Sequence, residues 1–269
     1  MTTLFRWALA ACLTLVLNPA WADVPTVAAA SSLQFAFPEL AAAYTSETGQ
    51  RLRINYGASG NFRRQIQQGA PFDIFLSADE ASVEALDAAG WVEGPSRVYA
   101  VGRLAWLQRA DRNDLPGEDD PLAGVREAVA QHARDEGRAR IALANPEHAP
   151  YGMAARQVLA HAGLWDATAP LRIIGENVSQ AAQFALTDDA RGGLVAESLA
   201  LAPQLAERSD YLLIPQAWHA PLVQRMVLVK GAGDEAREFY VWLQQDRARE
   251  ILARYGFRPP VEGVEDEGH

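Results

Sequence analysis

Two short runs of small hydroxyl residues stand where the chain passes from a predicted strand into a predicted helix. Ser31-Ser32 follow the first apolar strand, and Ser59-Gly60-Asn61 follow the second. Backbone N–H groups, a hydroxyl and the positive end of a helix dipole at one place form a site for an anion. Each run alone is better explained as ordinary capping of a helix. At the carboxyl ends of two strands of one sheet, however, the runs converge on the crevice where such folds bind ligands.

Catalytic motifs are missing from the sequence. A nucleophile elbow has the pattern Gly-x-Ser-x-Gly, but in Gly57-Ala58-Ser59-Gly60 the second glycine comes one position too early. There is also no His-Glu-x-x-His motif. The histidines are scattered singly, and we interpret His148 as a solvated residue of a turn rather than a base or a ligand. We therefore expect a protein that is not an enzyme. The alternative from another class is a secreted hydrolase that uses Ser32 and His148.

Short apolar runs alternate with helical patterns, which is typical of parallel strands joined by crossover helices. Gly49 is positioned to end the first helix. The first half of the chain predicts strands at 26–29, 51–56, 73–77 and 98–108, and helices at 33–44, 62–68 and 80–89. After a polar loop at 109–120, the second half predicts strands at 141–144, 171–174, 193–196, 211–214 and 222–229, and helices at 125–135, 152–162, 179–187, 235–244 and 246–255.

Two α/β units of this size predict two lobes. The long strands at 98–108 and 222–229 are predicted to cross between the lobes and to form a two-strand hinge. Residues 23–103 and 223–258 then form lobe one, and residues 104–222 form lobe two. The acidic segment 259–269 is predicted to be a disordered tail.

Residues 1–22 have the pattern of a cleaved secretory signal. Arg6 precedes an apolar run at 7–17, and Ala20-Trp21-Ala22 matches an A-x-A cleavage site. The alternative is lipid anchoring at Cys12, because the residues Leu-Ala-Ala-Cys ending there resemble a lipobox. Cys12 is the single cysteine of the chain, so neither an intrachain disulfide nor a cysteine zinc site is expected. We predict an exported, periplasmic protein.

Composition narrows the class of partner. The 269 residues are 49% apolar, which is enough for a folded core, and the formal net charge is −10 at pH 7. Because no basic block interrupts this acidic chain, nucleic acid is not expected as a partner. A small buried ligand remains compatible with the composition.

Several segments together resemble the periplasmic molybdate-binding proteins of molybdate ABC transporters, which belong to the type II periplasmic solute-binding protein family. The resemblance extends over nearly the whole chain after residue 22, and the stretch 69–79 and the Pro-Glu-His turn are its most specific parts. The segments are Ala28-Ala29-Ala30-Ser31-Ser32-Leu33, Gly57-Ala58-Ser59-Gly60, Gly69-Ala70-Pro71-Phe72-Asp73-Ile74-Phe75-Leu76-Ser77-Ala78-Asp79, Asn145-Pro146-Glu147-His148-Ala149-Pro150-Tyr151-Gly152, Gly175-Glu176-Asn177-Val178 and Arg254-Tyr255-Gly256-Phe257.

The resemblance implies an α/β, two-lobed type II fold that closes on a tetrahedral oxyanion. The serines that donate hydrogen bonds in the family match Ser32, with Ser31 beside it, and Ser59. The backbone N–H donors of the second lobe match Tyr151 and Val178. The implied ligand is molybdate or tungstate, bound as an oxyanion without a directly coordinated metal and without a cofactor. The implied partner is an ABC permease in the inner membrane, and the chain is expected to act as a monomer.

One position departs from the family pattern. Well-known members use a tyrosine hydroxyl from a late strand of the second lobe, and Ala196 stands there in this chain. We hypothesise that the hydroxyl of Tyr151 replaces the missing donor. The alternative is that Tyr151 only packs against the hinge. A receptor for another small oxyanion such as sulfate also stays open, because pocket size is not encoded in a local motif.

Overall fold

The chain forms two α/β lobes that are each built on one five-stranded sheet. A computed structural model describes residues 24–136 and 139–260. The predicted signal at 1–22, with Cys12, and residues 261–269 of the predicted tail lie outside the described residues.

The first lobe contains the start and the end of the described chain. Its first part consists of β1 (Thr26–Ala30), α1 (Ala36–Thr48), β2 (Arg53–Gly57), α2 (Ser59–Gln67), β3 (Ile74–Leu76), α3 (Ala81–Ala88) and β4 (Val92–Gly102). The second lobe consists of β5 (Leu104–Arg109), α4 (Ala123–Ala133), β6 (Arg140–Ala144), α5 (Pro150–His161), β7 (Arg172–Gly175), α6 (Val178–Ala185), β8 (Ala190–Ala196), α7 (Glu197–Ala200), α8 (Pro203–Ala206) and β9 (Ser209–Leu213). The chain then returns to the first lobe as β10 (Leu222–Val229), α9 (Asp234–Trp242) and α10 (Asp246–Arg254).

The two sheets have the same mixed pattern. Their strand orders are β2-β1-β3-β10-β4 in the first lobe and β7-β6-β8-β5-β9 in the second. In the first sheet β1 pairs in parallel with β2 and β3, and Ala30 lies opposite Gly57. In the second sheet β6 pairs in parallel with β7 and β8, and Ala144 lies opposite Gly175. The loops that follow these parallel strands therefore gather at one edge of each sheet, which is where α/β folds bind ligands.

The connection between the lobes differs from the continuous strand predicted at 98–108. Gly102 pairs with Leu222 in the first sheet, whereas Leu104 pairs with Ala196 in the second. Arg103 alone separates the two strands. The apolar run is uninterrupted in the sequence, so only the change of pairing partner shows the break. The second predicted crossing strand, β10, pairs wholly within the first sheet, and the chain crosses back in residues 214–221.

The first helix begins later than predicted. Ser31–Leu33 form a short 3-10 turn, and α1 starts only at Ala36. Pro38 gives a physical reason, because proline is tolerated in the first turn of a helix but removes a needed hydrogen bond further inside. A helix that began at residue 33 would place Pro38 in its interior. The predicted end is confirmed: Gly49 caps the helix with a φ of 75°, a conformation that favours glycine.

Aromatic packing dominates the core of the first lobe. Phe239 of α9 is completely buried, and its ring centroid lies 4.9 Å from that of Tyr44 and 5.9 Å from that of Phe37. Both partners belong to α1, so these contacts join the first and last parts of the lobe. The core of the second lobe surrounds Trp106, whose ring leaves no space for a side chain at Gly192.

We predict that Phe239→Ala lowers the free energy of unfolding by about 3 to 5 kcal/mol, because it leaves a cavity between two helices. Urea unfolding followed by circular dichroism measures the change. Val241→Ala in the same helix is the matched control, since Val241 is 59% exposed. Equal losses for the two variants would contradict the proposed role of this core.

Candidate functional site

A small cavity lies between the lobes. It measures about 10 Å³, which is close to the minimum that one water molecule requires. A larger ligand can therefore enter only when the lobes separate. No charged side chain belongs to the lining in the part of the chain that the structure describes. The lining consists of Ala30, Ser31, Ser32, Gly57, Ala58, Ser59 and Ala78 from the first lobe, and Ala149, Pro150, Tyr151 and Val178 from the second.

All five site residues predicted from the sequence line this cavity and are buried. These residues are Ser31, Ser32, Ser59, Tyr151 and Val178. Their local structure differs from the predicted caps, since Ser31 and Ser32 form a 3-10 turn and Ser59 is the first residue of α2. None of the three serines accepts a capping hydrogen bond from its own helix.

The serine hydroxyls have their protons available for a ligand. Ser59 Oγ accepts a hydrogen bond from the Ala78 N–H at 2.9 Å, and Ser31 Oγ accepts one from the Ser179 N–H at 3.4 Å. A hydroxyl that already accepts from the protein can still donate its own proton. Ser32 Oγ is buried and has no hydrogen-bond partner among the described residues. A buried polar group without a partner is costly, so an acceptor in the cavity would stabilise this arrangement.

The second lobe contributes the starts of two helices. Pro150 begins α5 with Tyr151 as its second residue, and Val178 begins α6. The first N–H groups of a helix have no acceptor within the helix, and they carry its partial positive charge. In α6 the side chain of Asn177 accepts from the Gln180 N–H. Val178 precedes these bonded groups and lines the cavity.

The hydroxyl of Tyr151 joins the two lobes. It accepts a hydrogen bond from Gln224 Nε2 of β10 at 3.0 Å. Burial raises the pKa of this phenol, although the hydrogen bond from Gln224 acts in the opposite direction. Tyr151 therefore keeps its proton at physiological pH and has one donor to offer. Ala196, where a tyrosine was expected, ends β8 and is completely buried.

Direct hydrogen bonds close the lobes around the cavity. The Gly60 N–H donates to the His148 carbonyl oxygen at 2.9 Å, and Asn61 Nδ2 donates to Glu176 Oε1 at 2.5 Å. Ser198 Oγ donates to the carbonyl oxygen of Ser32 at 2.7 Å. These bonds describe a closed form, in which the cavity is sealed on several sides.

His148 does not form a catalytic pair with Ser32. Its ring Nε2 lies 3.0 Å from the carbonyl oxygen of Glu176 and 3.1 Å from Glu176 Oε1. The side chain is only 10% exposed, so the predicted solvated histidine is instead packed at the rim of the cleft. Within residues 24–136 and 139–260, no group of three or more His, Cys, Asp or Glu side chains could hold a metal ion. In the same ranges, no helix is long and apolar enough to span a bilayer.

Several residues around the site were missed by the sequence analysis. Gln224 had a signal, because it is the one uncharged polar residue in the otherwise mostly apolar strand at 222–229. Ser179 and Ser198 had none, since a single serine within a helix is not a distinctive pattern. Their contacts depend on the approach of the second lobe, which no local pattern reports.

The fold and site define a two-lobed α/β binding protein with its ligand cavity between the lobes. A family model for bacterial extracellular solute-binding proteins matches residues 25–258. The chain belongs to this family of solute-binding proteins, which agrees with the prediction that it is not an enzyme.

Named relatives cover nearly the same region. The chain is 35% identical to the molybdate-binding protein ModA of Rhodobacter capsulatus over 242 residues, 89% of this chain and 90% of the relative. It is 30% identical to a putative ABC transporter substrate-binding lipoprotein, YvgL, of Bacillus subtilis, covering 86% of this chain and 85% of the relative. The solved periplasmic molybdate-binding protein of Azotobacter vinelandii superposes with a TM-score of 0.78 at 30% identity, covering 88% of this chain and all of that one.

The hydrogen bonds predict opposite effects for two serines in the ligand-free protein. Ser59→Ala should lower the free energy of unfolding by about 1 to 3 kcal/mol, because it leaves the buried Ala78 N–H without an acceptor. Ser32→Ala should leave it unchanged or raise it, because it removes a hydroxyl that has no partner among the described residues. Urea unfolding of the two variants provides the comparison. Similar losses for both would contradict this description of the cavity.

Proposed function

We propose that the protein captures molybdate, or the similar dianion tungstate, between its lobes and delivers it to an ABC transporter permease. The observation that carries this proposal is the composition of the cavity lining, which combines hydroxyl and amide donors and lacks charged side chains among the described residues. The names of the Rhodobacter and Azotobacter relatives support the choice of molybdate, and the name of the Bacillus relative supports the transporter.

In this proposal five residues bind the oxyanion. Ser31, Ser32 and Ser59 donate through hydroxyl groups of the first lobe, and Tyr151 and Val178 donate through backbone amides of the second. Tyr151 also donates through its hydroxyl, which replaces the tyrosine hydroxyl that is missing because Ala196 stands at that position. Because the bound oxyanion contacts both lobes, it favours the closed form of the protein, and the permease would recognise that form.

Such a lining also favours one class of anion. Molybdate and tungstate are dianions with no proton at neutral pH, so donors on every side can satisfy their oxygens. Monoprotonated phosphate carries an O–H group that needs an acceptor, and a buried unpaired polar group costs about 1 to 3 kcal/mol. Sulfate has the same charge as molybdate and differs in size, so the dimensions of the cavity must exclude it.

The remaining features of the proposal concern the whole chain. Residues 1–22 direct export to the periplasm, with lipid anchoring at Cys12 as the alternative. Lobe one comprises residues 23–103 and 223–258, and lobe two comprises residues 104–222. The protein acts as a monomer.

A thermal-shift panel of molybdate, tungstate, sulfate, phosphate and chromate tests the function. A ligand at 100 times its Kd stabilises the folded protein by about 2.7 kcal/mol, so the melting temperature should rise with molybdate and tungstate. Sulfate and phosphate at the same concentration provide the control and should give no shift. A shift with sulfate alone would support a sulfate receptor instead, and no shift with any oxyanion would refute the proposal.

Substitution of Tyr151 tests the replacement of the missing donor. We expect Tyr151→Phe to weaken molybdate binding by about 1.5 to 3 kcal/mol, since it removes a hydrogen bond to a charged oxygen. Isothermal titration calorimetry measures the loss. Tyr211→Phe is the control, because Tyr211 lies in β9 and does not line the cavity. Unchanged affinity for Tyr151→Phe would mean that the side chain only packs against the hinge.

A further inference from the structure

A buried glutamine of the first lobe contacts the Tyr151 hydroxyl from behind the cavity. Gln224 lies on β10 and is completely buried. Its Nε2 donates to the Tyr151 hydroxyl at 3.0 Å, and its Oε1 accepts from the Tyr99 hydroxyl at 2.7 Å. The Tyr99 hydroxyl also lies 3.1 Å from the carbonyl oxygen of Ser77. One amide thus connects two phenols, and neither Gln224 nor Tyr99 lines the cavity.

The local structure keeps space for this contact. Gly102 is the last residue of β4 and lies beside both side chains. A Cβ atom at this position would overlap the Tyr151 hydroxyl and would lie 2.6 Å from Gln224 Nε2. Any residue other than glycine would therefore displace the pair. A buried amide in an apolar strand is also unfavourable unless both of its ends are bonded, which is the case here.

We propose that Gln224 is a positioning residue for ligand binding, which turns the Tyr151 hydroxyl so that its proton is available to the anion. This inference rests on the proposed oxyanion-binding function. Gln224 Nε2 can only donate, so the phenol oxygen must accept from it. The single proton of the phenol is then left for an acceptor in the cavity, which Tyr151 and Ser32 both line.

The orientation of the amide decides whether Tyr151 acts as a donor. If the amide were rotated by a half-turn, its Oε1 would take the proton of Tyr151 and leave phenol lone pairs toward the cavity. Lone pairs would repel an anion. The Tyr99 hydroxyl lies 2.7 Å from Gln224 Oε1 and 3.1 Å from the Ser77 carbonyl oxygen, so its single proton is assigned to the nearer acceptor, Oε1, which favours the observed orientation of the amide. The hydrogen bonds from Tyr99 to Gln224 and from Gln224 to Tyr151 therefore run in one direction, toward the ligand.

The same contact couples this donor to closure of the lobes. Gln224 belongs to the first lobe and Tyr151 to the second, so their hydrogen bond forms only when the lobes meet. An open form would leave the phenol hydrated and free to rotate. The Tyr151 hydroxyl is then oriented as a hydrogen-bond donor in the same step that encloses the ligand.

A double-mutant cycle tests the inference by calorimetry with molybdate. Gln224→Met keeps the length of the side chain and removes both the donor and the acceptor of the amide, and we expect it to lower affinity about 3- to 10-fold. In the Tyr151→Phe background the same substitution should change affinity by less than about 2-fold, because its effect acts through the absent hydroxyl. A structural role alone would lower affinity equally in both backgrounds.

The controls separate this inference from the proposed function. Gln108→Met removes an equally buried amide, which bonds Trp106 and Asp114 away from the cavity, and it should leave the affinity unchanged. Where Gln224→Met fails to fold, Tyr99→Phe replaces it in the cycle with a smaller expected loss. Normal molybdate binding by the wild type with equal losses in both backgrounds, or with no loss, overturns the positioning role alone. Absence of binding by the wild type overturns the proposed function and this inference with it.

Discussion

The burial of a small anion requires that the protein replace its lost hydration with hydrogen-bond donors on every side. In the proposed function, neither lobe of this protein meets that requirement alone. The first lobe presents serine hydroxyls after its parallel strands, and the second presents the first amides of α5 and α6. A hydroxyl such as that of Ser32 has no partner among the described residues, so the cavity is prepared for an acceptor and is unfavourable without one. In the proposed function, this division of the donors makes approach of the two lobes necessary for binding.

The acidic net charge of −10 is compatible with such a site. Ionic screening limits the repulsion from exposed carboxylates to about 8 Å at physiological ionic strength. Several acidic groups near the interface are also paired, as in the contact between Glu197 and Arg258, 3.2 Å apart. Burial raises the pKa of Glu197, and the charges of Arg258 and Arg103 act against that effect. In the proposed function, the affinity for the oxyanion then depends on the direction of nearby neutral dipoles and little on the total charge.

The sequence made the fold class and the cavity residues predictable for a simple reason. Ser31, Ser32 and Ser59 follow strands that are neighbours in the sheet, and strand order places their loops together. The details that failed depend on interactions distant in sequence. Pro38 delays the start of α1, which moves Ser31 and Ser32 into a separate turn. The break at Arg103 cannot be seen in an apolar run, because it reflects a change of partner strand. Gly102 pairs with Leu222 of β10, whereas Leu104 pairs with Ala196 of β8.

Gln224 illustrates why residues outside the cavity were harder to predict than those within it. Its position in a mostly apolar strand is a signal for a buried amide, but the sequence does not show its partners, which come from β4 and α5. The hydrogen bonds from Gly60 to His148 and from Ser198 to Ser32 likewise exist only between lobes. Separation of the lobes would break each of these bonds and let water satisfy the separated groups. The net gain from closure is therefore small for each bond, and a ligand that satisfies the remaining donors can decide the balance between open and closed forms.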